Sequence, residues 1–302
     1  MNGSDGKTTY LKFISAMVIV GTIGVFRRYI PVTSAMLAFS RGILGSLSLA
    51  AFVKLKGQRI RHGMDTKKLV LLIINGAVIG VNWIFLFEAY RFTTVAVATL
   101  CYYLQPTLLI LVSPLFFREK LTGKKMFFAL TAFMGMVLVS GVLKGGGAQA
   151  DSFRGVLFGL AAAVLYTIAV IGNKKITGVD IYEKTIIQLA SAALVLVPYI
   201  LLTEDVADIH PDLKTMVLIL IVGVIHTGLV YLFYFGSMEN MNAQAVAVLS
   251  YIDPVVAIFA SCVFLKEPLS IFEIAGAVLV IGSAILSERE RSPEQLTGTG
   301  DE

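Results

Sequence analysis

Two stretches decide the fold of this chain: residues 80 to 121, GVNWIFLFEAYRFTTVAVATLCYYLQPTLLILVSPLFFREKL, and residues 228 to 269, GLVYLFYFGSMENMNAQAVAVLSYIDPVVAIFASCVFLKEPL. At an offset of 148 residues they agree at ten of 42 positions: Gly80/Gly228, Phe85/Phe233, Phe87/Phe235, Tyr103/Tyr251, Pro106/Pro254, Ile110/Ile258, Ser113/Ser261, Phe116/Phe264, Glu119/Glu267 and Leu121/Leu269. Apolar bias supplies some of these matches. A Tyr-x-x-Pro and a Glu-x-Leu shared at one offset mark an internal duplication.

The composition around these stretches places the duplication in a membrane. Of 302 residues, 57% are hydrophobic and only 15% charged, and the mean hydropathy is +0.82. Soluble domains carry roughly a quarter charged residues, so soluble, disordered and fibrous classes are excluded. The apolar residues come in runs close to the roughly 20 residues that cross a bilayer's hydrocarbon core. Ten such spans are expected, at about 9–26, 33–53, 68–88, 95–117 and 123–142, then 152–172, 183–203, 213–236, 243–265 and 270–287. Spans without barrel alternation must be helices, so the fold class is an all-α polytopic membrane protein. Asp180 with Glu183 and Ser270 with Glu273 fit capping-box spacing, and Thr94, Asp212 and Asn242 are further candidate N-caps.

The duplication divides the chain into a first five-helix repeat over residues 1–145 and a second over 146–287, with a polar tail at 288–302. Because five is odd, the second repeat enters the membrane from the opposite side. Inverted repeats related by an axis in the membrane plane are typical of carriers that expose a midplane site to each side in turn.

The net charge of +5 reports topology rather than an acidic partner. With the N-terminus inside, the inner loops collect 17 Lys and Arg and the outer loops seven, with Arg41 left inside a span. That bias predicts both termini in the cytoplasm, and no nucleic-acid partner is needed. The acidic group Glu204, Asp205, Asp208 and Asp212 reads as a solvated outer loop. Cys101 and Cys262 fall inside apolar runs and read as buried apolar residues. The first run is too long for a signal core and lacks a small-residue cleavage site, so it is expected to remain as the first span.

Further sequence features converge on one resemblance. Phe87-Glu88-Ala89-Tyr90 closes the third span and Thr93-Thr94-Val95-Ala96 opens the fourth, which carries Tyr103-Leu104-Gln105-Pro106 and ends before Arg118-Glu119-Lys120-Leu121. The second half repeats this with Ala245-Val246-Ala247, Tyr251-Ile252-Asp253-Pro254 and Lys266-Glu267-Pro268-Leu269, and Gly276 and Gly282 mark the last span. Over residues 9 to 287 the chain resembles EamA-type members of the drug/metabolite transporter superfamily. The resemblance implies a carrier in which helices one to four and six to nine surround a cavity, with five and ten peripheral. It also implies movement of small metabolites such as amino acids or amines, often outward, and a homodimer is a compatible assembly. No motif names the substrate.

Charged and polar side chains at membrane depth are the candidate site, since each costs roughly 2.5–3.5 kcal/mol to insert and so faces a cavity or a partner. Asp253, halfway along the ninth span and before Pro254, is the candidate coupling or cation-binding carboxylate; Gln105 before Pro106 is its counterpart. The alternative is a carboxyl that locks two helices. Arg41 offers a fork for a substrate carboxylate, or a structural partner for Asp253. Glu88 is a second coupling candidate, although Arg91 three residues on suits a local ion pair. His226 sits mid-span and is open to a core or a titrating role. Asn75 and Asn82 share a helix face, and Trp83, Tyr102, Tyr103, Tyr231 and Tyr251 are candidate cavity walls able to receive a cationic ligand on a ring face.

Gly76 with Gly80, and Gly155 with Gly159, have small-xxx-small spacing, which permits close helix approach. Gly145-Gly146-Gly147 lacks the Lys and Ser/Thr of a phosphate loop and reads as linker, so ATP-driven transport is unsupported. No cofactor or metal is expected. An intramembrane enzyme would need a catalytic constellation that the sequence does not spell. The expected function is a secondary transporter of a small polar or amphipathic metabolite, proton-coupled and exporting. A facilitative uniporter or channel is the alternative.

Overall fold

A segment inside a bilayer must satisfy its backbone internally, and every regular element among the described residues is helical. The computed structural model describes residues 3–57, 64–92, 98, 101–117, 121–139, 152–204, 211–266 and 271–289. The first five helices are α1 (Gly3–Gly21, resumed as Ile23–Arg28 after a break at Thr22), α2 (Ser34–Leu55), α3 (Thr66–Phe92), α4 (Gln105–Phe117) and α5 (Gly123–Val139). The second five begin with α6 (Ser152–Lys175) and α7 (Ile181–Thr203). Then α8 runs Leu213–Gly223, widens into a π-helical turn at Val224–Leu229 and continues as Val230–Met238. α9 comprises Ala243–Ser250, Ile252–Ala260 and a π-helical turn Ser261–Leu265, and α10 is Ile271–Arg289.

Asp180, Asp212 and Asn242 cap α7, α8 and α9 through side-chain acceptors, and Thr33 does the same for α2. The hydrogen bonds from Thr215 hold the Asp212 carboxyl below the usual carboxylate range. Thr94, Ser270, the Gly145–Gly147 run, Asp205 and Asp208 lie outside the described residues.

The packing carries a twofold pattern. α1 packs on α8 as α6 packs on α3; α2 meets α8 as α7 meets α3; α1 meets α9 as α6 meets α4. The remaining principal pairs, α2 with α7, α4 with α9 and α5 with α10, join each helix to its own counterpart. Ten helices thus form two inverted five-helix repeats, with α5 and α10 outside the ring made by the other eight.

The matched glycines explain how the rings close. A Cβ at Gly80 would stand 2.5 Å from the Ala192 carbonyl oxygen on α7, and one at Gly228 would stand 3.3 Å from the Gly45 carbonyl oxygen on α2. Gly80 and Gly228 are identical because they occupy equivalent crossings.

At the face carrying the α6–α7 and α8–α9 turns lies one of the basic residues counted toward the inner side. Lys184, in the first turn of α7, is fully buried. Its ammonium donates to the carbonyls of Asn173 (2.6 Å) and Ile176 (2.7 Å) and to Glu239 Oε1 (2.6 Å). Lys174 reaches the carbonyls of Met238 and Met241. Together they tie the end of α6 to the end of α8. Removing one partner of a buried pair costs about 3–5 kcal/mol, less here because Glu239 is partly exposed. Lys184→Met is therefore expected to lower stability by about 2–3 kcal/mol, and Glu239→Gln by less, measured as thermal unfolding in detergent. Equal melting of wild type and Lys184→Met would rule the tie out.

Candidate functional site

Proline has no N–H and its ring crowds the carbonyl four residues earlier. Pro106 and Pro254 therefore deny the carbonyls of Tyr102 and Ser250 an α-helical donor. The chain answers with turns at Tyr103–Leu104, ahead of α4, and at Tyr251, inside α9. The breaks fall a few residues before the prolines, so each proline sits in the opening turn of a new helical segment, where it is tolerated.

These breaks face each other at the α4–α9 crossing. The Tyr103 hydroxyl donates to Asp253 Oδ2 at 2.9 Å, and the Tyr251 hydroxyl donates to the Tyr103 carbonyl at 3.2 Å and lies 2.8 Å from Thr107 Oγ1. Each tyrosine thus reaches into the other repeat. The geometry is not symmetric, because Asp253 opens onto a cavity whereas Tyr251 is fully buried beside Thr107.

That cavity, of about 190 Å³, is enclosed by α1, α2, α3, α4, α6, α8 and α9. Met17 on α1, Tyr166 on α6 and Asp253 on α9 lie in the middle third of their helices, so it sits near mid-depth. On one side Arg41 places its guanidinium carbon 5.9 Å from the centre of the Trp83 ring and donates from Nε to Thr227 Oγ1 at 2.9 Å. Trp83 meets Tyr231 edge-on at 6.4 Å. On the other side Tyr102 stacks on Tyr166 at 5.6 Å and touches Tyr103, which holds Asp253. Gln105 completes the wall.

Seven residues singled out from the sequence, Arg41, Trp83, Tyr102, Tyr103, Gln105, Tyr231 and Asp253, therefore line one cavity. Arg41 and Asp253 make no ion pair with each other; each is held by a neutral hydroxyl.

The others lie elsewhere. Asn75 and Asn82 donate to the carbonyls of Ala169 (3.1 Å) and Ala162 (2.6 Å), so their shared face stitches α3 to α6. Glu88 accepts from Arg91 at 2.9 Å and from the Tyr199 hydroxyl at 2.5 Å, an ion pair at the end of α3 bonded to α7. His226 is buried in the π-helical turn of α8, with Nε2 3.0 Å from Thr22 Oγ1 at the break in α1. Tyr251 belongs to a core with Ala132, Val255, Ala277 and Val280.

Tyr166, Tyr234 and Ser250 also line the cavity and were missed. Tyr234 follows Tyr231 by three residues, a spacing that signals a shared face. Tyr166 had only its polarity within an apolar run to mark it.

An aromatic cavity with a guanidinium and a carboxyl held apart suits a small molecule with complementary charges and an apolar body. Comparison with known proteins gives a transporter family. The sequence profile of the EamA-like transporter family matches residues 7–141 and again 153–288. The uncharacterized transporter YxxF of Bacillus subtilis (strain 168) is 27% identical over 99% of this chain and 96% of its own length. Protein PecM of Dickeya dadantii (strain 3937) is 28% identical over 72% of each chain. A protein of known crystal structure superposes with a TM-score of 0.83 at 20% identity, over 93% of this chain and 98% of that one, a likeness of fold.

Proposed function

The chain belongs to the EamA-like transporter family of the drug/metabolite transporter superfamily, and from that premise we propose that it carries a small amphoteric metabolite of the amino-acid class. It is a multi-pass integral membrane transporter and not an enzyme. In the proposed cycle the substrate carboxylate lies against the Arg41 guanidinium and its ammonium against Asp253. Its apolar part lies among Trp83, Tyr102, Tyr166 and Tyr231. The inverted repeats exchange conformations to open the cavity to each side in turn, the Asp253 carboxyl releases a proton to water when it takes the substrate ammonium and takes one up from water when the substrate has left, and net movement is outward. Both termini lie in the cytoplasm, a reading that rests on the loop charge bias.

One observation carries the substrate class: Arg41 and Asp253 line the same cavity and are bonded to neutral hydroxyls rather than to each other. Charges at this depth cost several kcal/mol in total, and a direct ion pair would have offset that cost had the site been purely structural. Leaving both available to a ligand points to a substrate that brings the two opposite charges.

Thermal-shift screening of the purified protein against amino acids, amines and carboxylates tests this. Amino acids are expected to stabilise the wild type more than either half-charged class. Arg41→Gln is expected to weaken amino acids by at least tenfold and to leave amines unaffected. Stabilisation by amines alone, undisturbed in Arg41→Gln, would refute the amphoteric reading. Uptake into liposomes against a gradient, driven by an imposed pH step, tests the coupling; uptake that only equilibrates would leave a uniporter.

A further inference from the structure

We infer that Thr227, presented by the π-helical turn of α8, is a positioning residue that sets the plane of Arg41 and so determines recognition of a substrate carboxylate. The inference rests on the proposed substrate reading and extends it to a residue that does not line the cavity.

A helical serine or threonine ordinarily spends its hydroxyl on the carbonyl three or four residues back. In a π turn the backbone register widens to five residues, and the Thr227 hydroxyl donates to the Val222 carbonyl, five residues back, at 3.1 Å. That bond consumes the hydroxyl proton and turns the oxygen's lone pairs toward α2. Arg41 Nε donates to this oxygen at 2.9 Å. The hydroxyl is thus an obligate acceptor, and Thr227 is fully buried, with no freedom to turn away.

The second constraint comes from α3. The Arg41 guanidinium stands over the Trp83 ring, 5.9 Å from its centre. A planar cation fixed at Nε by one bond and over one face by an indole retains its two terminal nitrogens as a fork. That is the arrangement needed for two parallel bonds to a carboxylate. No other hydrogen bond of Arg41 occurs among the described residues. The same turn contributes His226, whose Nε2 lies 3.0 Å from Thr22 Oγ1 at the α1 break, and whose ring meets Phe26 edge-on at 4.5 Å. α1 therefore braces the π turn through the residue that precedes Thr227.

The sequence contains a single tryptophan, Trp83, so its fluorescence reads the position of Arg41 without any substrate. Emission and acrylamide quenching would be recorded for the wild type, Thr227→Val, Thr227→Ser, Arg41→Lys and Arg41→Gln in detergent or nanodiscs. Binding of L-leucine and of 3-methylbutylamine, the same side chain without the carboxylate, would be measured alongside. Thr227→Val is expected to displace Trp83 emission in the direction of Arg41→Gln. It should weaken L-leucine about tenfold, the effect of losing one charge-assisted bond, and leave 3-methylbutylamine unchanged. Thr227→Ser restores both readouts, because the serine hydroxyl makes the same two bonds.

Arg41→Lys keeps the charge but lacks Nε and planarity, so it behaves like Thr227→Val and supplies the test if the valine variant does not fold. Wild-type emission together with a wild-type ratio of leucine to amine affinity in Thr227→Val would overturn the inference. A wild type that binds no carboxylate while its emission still follows Thr227 would overturn the substrate reading and uphold the positioning of Arg41.

Discussion

Asp253→Asn is expected to reduce uptake of an amino-acid substrate by about a hundredfold while the protein stays folded. The amide is isosteric and its oxygen still accepts from the Tyr103 hydroxyl, which donates to Asp253 Oδ2 at 2.9 Å, so the α4–α9 crossing keeps its bond. What disappears is the negative charge opposite the substrate ammonium. A hydrogen bond to a charged group is worth about 1.5–3 kcal/mol, and the upper end of that range corresponds to roughly a hundredfold. The matched control is a carboxylate lacking the amine, whose binding should not fall. Uptake driven by a pH step should vanish in the same variant, because an amide cannot carry the exchanged proton. Liposome uptake with and without the pH step reads both, and normal pH-driven transport by Asp253→Asn would defeat the coupling role.

The second large effect is structural and lies at the α3–α7 crossing. A Cβ at Gly80 would stand 2.5 Å from the Ala192 carbonyl oxygen and 3.1 Å from its Cα; one at Gly76 would stand 2.5 Å from the Gln188 carbonyl oxygen. The obstacle is backbone in both cases, so no rotamer change relieves it and the two helices must separate. Overpacking of this kind costs about 1–3 kcal/mol, occasionally more. Gly80→Ala is placed at about 3 kcal/mol, and Gly80→Leu is expected not to yield a monodisperse protein. Gly24→Ala is the control, since a Cβ there meets nothing within 4 Å. It should be neutral or stabilising by up to ~1 kcal/mol through helix propensity. Thermal unfolding of the three variants decides; equal melting of Gly80→Ala and Gly24→Ala would show that α3 and α7 do not approach as described.

Much of the architecture was legible because its signals are local or repeat. Hydropathy marks a span whatever packs against it. The offset of 148 residues tied Gly80 to Gly228 and Tyr103 to Tyr251 before any contact was known; the glycines occupy equivalent crossings, and each tyrosine reaches into the other repeat, although to different partners. The spans at 95–117 and 243–265 were expected as continuous helices; the turns at Tyr103–Leu104 and Tyr251 fall ahead of Pro106 and Pro254, because each ring is best accommodated in a helix's first turn. Sequence could not tell which polar residues at depth face inward. Asn82 and Trp83 are neighbours on α3, yet one donates to the α6 backbone and the other lines the cavity. A difference of 100° around one helix separates those roles, and helix rotation is set by partners far away in the chain.

The same limit applies to charge. From the sequence, Lys184 is one of the basic residues that count toward the inner side, and it is the tertiary fold that buries it against Asn173, Ile176 and Glu239. By itself the sequence determined the membrane class, the ten spans, the inverted duplication and the short set of charges at membrane depth, since each depends on composition or on self-similarity along one dimension. Only the tertiary structure decided that Arg41 meets Thr227 and Trp83 while Asp253 meets Tyr103, so that the two charges face one cavity unpaired. That outcome depends on the rotation and depth of seven helices packed around a pseudo-twofold axis, a relation between distant residues that no local pattern encodes.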